Sequence, residues 1–150
     1  MTLQIKGLSH ITFVCKDLEK TVEMFKGVFG AQEIYSSGDD TFSISKEKFL
    51  QVTGIWIAIM EGESIEKTYN HVAFLVGDEE LDKFEAKVRS FGLTILPGRK
   101  REGAEGRSLY FYDYDNHLFE LHTGNLSTRL KYYNHEKFLS TRVNVIAVRD

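Results

Sequence analysis

The chain has 150 residues, enough for one domain with a substantial core. With 42% hydrophobic and 27% charged residues it has the make-up of an ordinary soluble globular protein, and a formal charge of −3 argues against general nucleic-acid binding. Cys15 is the lone cysteine, which excludes a disulfide framework and a cysteine metal cluster and fits a reducing, cytoplasmic setting; neither a signal pattern nor a membrane-spanning apolar run is read.

Leu8 to Cys15 opens the chain as a strand whose side chains alternate. His10, Thr12 and Val14 share one face, and the bulkier Ile11, Phe13 and Cys15 share the other. A helix from about Leu18 to Phe29 follows, with Leu18, Val22, Phe25 and Phe29 on one stripe, Asp17 as N-cap and Gly30 as its stop. Ala31 to Ser37, Thr41 to Ser45 and Phe49 to Val52 read as short strands, broken by Gly38-Asp39-Asp40 and by Lys46-Glu47-Lys48. Ile55 to Met60 is apolar on both faces, which marks a central strand.

The order then repeats. His71 follows His10 by 61 residues, and the same offset pairs Phe13 with Phe74, Val14 with Leu75 and Asp17 with Asp78. His71, Ala73 and Leu75 share a strand face. A second helix, about Glu79 to Phe91, carries Leu81, Phe84, Val88 and Phe91, and Leu93 to Leu96 is a strand. Gly98 to Arg107 is a polar loop with four basic residues. Ser108 to Tyr112 and Leu118 to His122 form a hairpin around Asp113-Tyr114-Asp115-Asn116, with Leu118, Glu120 and His122 on one face. Ser127 to about Lys137 reads as a helix, and Val143 to Val148 as a further strand without a place.

The expected fold is therefore α+β. Two β-α-β-β-β modules, about 7–60 and 68–123, form half-open barrels with helices outside, followed by a helix and tail at about 127–150, all in a single domain. A carboxylate at Glu120, between Phe119 and Leu121, is costly unless neutralised. His10, His71 and Glu120 together make a two-imidazole, one-carboxylate set suited to a divalent transition metal, with coordination positions left open. A single inward histidine is more often a hydrogen-bonded core residue, and His122 is a rival ligand or a supporting partner.

At these residues the chain resembles the vicinal oxygen chelate superfamily, which includes glyoxalase I and extradiol dioxygenases. Within it, the chain resembles the fosfomycin resistance proteins, above all the FosX type of metal-dependent epoxide hydrolases. The motifs that carry the resemblance run from Leu8-Ser9-His10-Ile11-Thr12-Phe13 through the stretch Phe42 to Phe49, Thr68-Tyr69-Asn70-His71 and Gly106 to Asp113, to Asn116 to His122. The resemblance implies metal ligands at His10, His71 and Glu120, manganese(II) as the activating ion, and Glu47 as general base. It implies substrate contacts at Thr12, Trp56, Tyr69, Arg101, Tyr110 and Arg129, and a homodimer in which His10 meets His71 and Glu120 across chains. By residue type alone, Glu47 in a lysine-flanked turn reads as a solvated surface charge. The implied activity is addition of water to the epoxide of fosfomycin, giving an inactive diol phosphonate and antibiotic resistance. Rival readings are a fosfomycin thiol transferase using glutathione, bacillithiol or cysteine, an iron(II) dioxygenase, and a non-enzymatic drug-binding protein. Ala104, in the basic loop, departs from the glycine of the hydrolases and the serine of the transferases.

Overall fold

The computed structural model describes residues 2–98 and 106–147, with side chains to 141. Alternation in the first strand, β1 (His10–Cys15), turns Phe13 and Cys15 toward α1 (Leu18–Phe29). Asp17 caps that helix by accepting from the Lys20 amide at 3.0 Å, and Gly30 ends it at φ 65°, a left-handed conformation in which a Cβ would be strained. The chain continues through β2 (Gln32–Ser36), β3 (Glu47–Val52) and β4 (Ile55–Glu61). The second module begins with β5 (His71–Leu75). A 3-10 turn at Asp78–Glu80 leads into α2 (Leu81–Ser90), then β6 (Thr94–Ile95), β7 (Ser108–Tyr112) and β8 (Leu118–His122). The last element is α3 (Leu126–Ala147).

The modules make one four-stranded sheet each, in the orders β1-β4-β3-β2 and β5-β8-β7-β6. In both, the first strand lies parallel to the last and the other pairs are antiparallel. The fold is the expected α+β arrangement of two repeated modules. Its core spans them, with Phe119 packing on Phe13 at 5.2 Å, Phe29 at 5.1 Å and Phe111 at 5.7 Å between ring centroids. Asp115, fully buried, ties the second module to the first by accepting from the Lys16 amide at 3.0 Å and from Ser64 Oγ at 2.6 Å.

Three expectations need correction. Thr41 to Ser45 is a run of bends rather than a strand, and Phe42 and Ile44 stand 73% and 81% exposed, so the alternation there meets no neighbouring strand among the described residues. Glu47 is no surface turn. It is the first residue of β3, paired with Met60, and only 8% exposed. The stretch Val143 to Val148 is not a strand, because α3 runs on through Ala147; Val148 lies outside the described residues.

Candidate metal and substrate site

Strand register decides which side chains share a face. His10 lies opposite Trp56, Thr12 opposite Ala58, Met60 opposite Glu47, and Phe49 opposite Ala58. His10, Thr12, Trp56 and Glu47 therefore stand on the face of the first sheet that points away from the core. The rings of His10 and Trp56 are 4.2 Å apart, and Ser9 Oγ lies 3.0 Å from His10 Nδ1. The Trp56 indole N–H is buried and, among the described residues, has no hydrogen-bond partner. Ser37 Oγ accepts from the Glu47 amide at 3.0 Å and fixes the start of β3.

On the second sheet, Ala73 pairs with Glu120, Tyr110 with Glu120 and Ser108 with His122, so His71, Tyr110, Ser108, Glu120 and His122 share the corresponding face. His71 Nε2 is 3.1 Å from Glu120 Oε2, and His71 Nδ1 is 2.8 Å from the Tyr69 carbonyl. A carbonyl only accepts, so Nδ1 carries a proton there. In neutral His71 the Nε2 lone pair then faces a carboxylate oxygen, an arrangement that calls for a cation between them. A metal ion meets that need, and a histidine tied to a backbone carbonyl through its other nitrogen is the usual form of a metal ligand.

Burial pushes the Glu120 carboxyl up, yet hydrogen bonds from Ser108 and Tyr110 and the electrostatic pull of the neighbouring His122 and His71 rings outweigh it and hold the group below the ordinary carboxylate value. Glu120 thus offers an anionic oxygen that suits a cation. Burial, with the Tyr69 contact and the Glu120 charge, pushes the Tyr110 hydroxyl up, so it remains a proton donor. Tyr69 stacks on Tyr110 and sets its edge on His71, with centroids 6.3 and 5.1 Å apart. Arg129, near the start of α3, places Nη2 3.1 Å from His122 Nε2.

The expected residues thus form two half-sites. His10, Thr12, Trp56 and Glu47 are on one sheet, and His71, Glu120, Tyr69, Tyr110 and Arg129 gather at the other. Among the described residues of one chain, no three His, Cys, Asp or Glu side chains converge as a metal site, so His10 does not complete the His71–Glu120 pair. Arg101 and Ala104 lie outside the described residues. A groove of about 560 Å³ runs along the edge strands β1 and β5, lined by Thr12, Thr68, Asn70 and His71, among others. Residue type did not single out Ser108, whose Oγ sits 2.7 Å from Glu120 Oε1 and 2.8 Å from His122 Nδ1. Counting the hairpin outward from Asp113–Asn116 would have found it.

The family model of the glyoxalase/bleomycin resistance protein/dioxygenase superfamily matches residues 7–121. A Listeria innocua protein named fosfomycin resistance protein FosX is 60% identical over 131 residues, spanning 87% of this chain and 98% of its own length. A protein of the same name from Mesorhizobium japonicum is 50% identical over 127 residues, covering 84% of this chain and 91% of its own. The crystal structure of a mutant FosX from Listeria monocytogenes, complexed with Mn(II) and 1S,2S-dihydroxypropylphosphonic acid, superposes with a TM-score of 0.79. It shares 52% identity and covers 87% of this chain and 99% of that one.

Proposed function

Because this chain belongs to the glyoxalase/bleomycin resistance protein/dioxygenase superfamily and, within it, to the FosX fosfomycin resistance proteins, we propose that it opens the epoxide of fosfomycin with water in a manganese(II)-dependent reaction. The observation that carries this reading is the His71 Nε2–Glu120 Oε2 pair at 3.1 Å, two acceptors that a cation would join. His71 and Glu120 hold the metal together with His10 from a second copy of the chain. The open sheet faces and their surroundings support such a homodimer. Leu75, on the face of His71, is 72% exposed, and Leu8 and Tyr69 are each 70% exposed, apolar surface that a partner would cover. A cytoplasmic setting fits the single, buried, unpaired Cys15, and among the described residues no helix is long and apolar enough to cross a membrane.

Bound manganese(II) supplies Lewis acidity that weakens the epoxide C–O bond and charge that steadies the phosphonate. The residues of the chain do the rest. Tyr69, Tyr110, Thr12 and Arg129, with Arg101 from the basic loop, offer the hydroxyl and guanidinium donors that a phosphonate dianion needs. Trp56 walls the pocket beside His10. Glu47 takes a proton from water, whose oxygen bonds to the epoxide carbon bearing phosphorus while that carbon's bond to the ring oxygen breaks. The released alkoxide takes up a proton, and the product is a diol phosphonate. Stripping the protein with a chelator tests the metal requirement. Fosfomycin consumption should stop, return on adding manganese(II) to the parent, and stay absent in His71→Ala. Full activity in the stripped protein would contradict the proposal.

A further inference from the structure

Four side chains on the second half-site touch in series. Arg129 Nη2 meets His122 Nε2 at 3.1 Å, His122 Nδ1 meets Ser108 Oγ at 2.8 Å, and Ser108 Oγ meets Glu120 Oε1 at 2.7 Å. Hydrogen-bond chemistry gives this series a single direction. A guanidinium only donates, so His122 Nε2 accepts. A carboxylate only accepts, so the Ser108 hydroxyl proton points at Glu120. Ser108 Oγ can then only accept from the imidazole, which places the ring proton on Nδ1. The direct Nδ1–Glu120 Oε1 separation of 3.4 Å is longer, so the serine is the bridge. One imidazole, 12% exposed, thus holds the residue assigned to the phosphonate with one nitrogen and orients the residue assigned to the metal with the other.

We propose that His122 is a positioning residue that couples the substrate-binding Arg129 to the metal-binding Glu120 through Ser108. The inference rests on the reading of Glu120 as a ligand and Arg129 as a phosphonate contact. The two nitrogens have separate duties, and two substitutions separate them. The amide nitrogen of an asparagine side chain falls near Nδ1 and can donate to Ser108, but nothing of it reaches Arg129. The carbonyl oxygen of a glutamine side chain falls near Nε2 and can accept from Arg129, but leaves Ser108 without its donor.

The test uses the full chain, with manganese(II) affinity of the metal-stripped protein read by electron paramagnetic resonance and KM for fosfomycin read at saturating metal. Loss of an orienting hydrogen bond at a metal site costs about tenfold or more. His122→Asn should keep manganese affinity within about threefold of the parent and raise KM about tenfold; His122→Gln should do the reverse, and His122→Phe should impair both. A merely structural role would move both readouts together in Asn and Gln alike, and that result would overturn the proposal. So would parental values in His122→Phe while Glu120→Ala loses manganese. If Glu120→Ala binds manganese like the parent, the ligand reading itself falls and the coupling with it.

Discussion

Separating His10 from Glu120 on different sheets makes subunit complementation quantitative. Take two inactive chains, His10→Ala and Glu120→Ala, mix them in equal amounts, and let subunits exchange. In the proposed dimer each site draws His10 from one copy and His71 with Glu120 from the other. A mixed dimer then gathers both lesions in one site and leaves the other intact. Random exchange makes about half the dimers mixed and half their sites whole, so activity per chain should recover to about a quarter of the parent. Pairing His71→Ala with Glu120→Ala supplies the control, because both lesions lie on the second sheet, 3.1 Å apart in the parent, and no mixed dimer regains a whole site. The assay is fosfomycin consumption with manganese(II) after mild denaturation and refolding of the mixture. No recovery in the first pair despite demonstrated exchange, or recovery in the control pair, would refute the shared site.

Glu47→Gln should keep the fold, since the Ser37 bond is to its backbone, and should slow water addition by about 100-fold or more while sparing any thiol-dependent opening. Equal loss of both activities would count against Glu47 as the base for water. Phe119→Ala removes a fully buried ring in contact with five other phenylalanines and should cost about 3–5 kcal/mol in denaturant unfolding; a loss under about 1 kcal/mol would contradict the shared core. Lys48 bridges Glu33 at 2.7 Å and Glu19 at 2.9 Å, and its hydrogen bond lowers the Glu33 carboxyl below its ordinary 4.5. A lowered carboxyl contributes stability above its ordinary value and loses it as pH falls through the folded value, so the melting-temperature gap between parent and Lys48→Met should shrink in acid. A gap that widens there would reverse the sign.

Much of this architecture is legible in the chain because duplication writes it twice. The 61-residue offset between His10 and His71 marks equivalent edge strands, and alternation alone turns Glu120 away from Phe119 and Leu121. What stayed hidden depends on neighbours distant in sequence. Lysines on both sides make Glu47 look solvated, yet Lys46 pairs with Asp39, Lys48 turns to the helix side toward Glu19 and Glu33, and Glu47 itself, opposite Met60 in the sheet, is buried. Phe42 and Ile44 alternate like a strand but have no partner strand among the described residues. The β-branched tail suggested a strand, but Asn125 Oδ1 caps α3 by accepting from the Thr128 amide at 3.0 Å, and no glycine or proline after Gly124 interrupts it. The residues of the two half-sites were readable, but among the described residues nothing within one chain brings His10 to His71 and Glu120.

Water as the nucleophile is the central claim, and isotope labelling reads it directly. The manganese-loaded protein is given fosfomycin in ¹⁸O-enriched water with no thiol present, and the product is weighed by mass spectrometry. The expected product is a diol phosphonate carrying one labelled oxygen on the carbon that bears phosphorus. Failure to consume fosfomycin until a thiol is added, with a sulfur-bearing product, would contradict it.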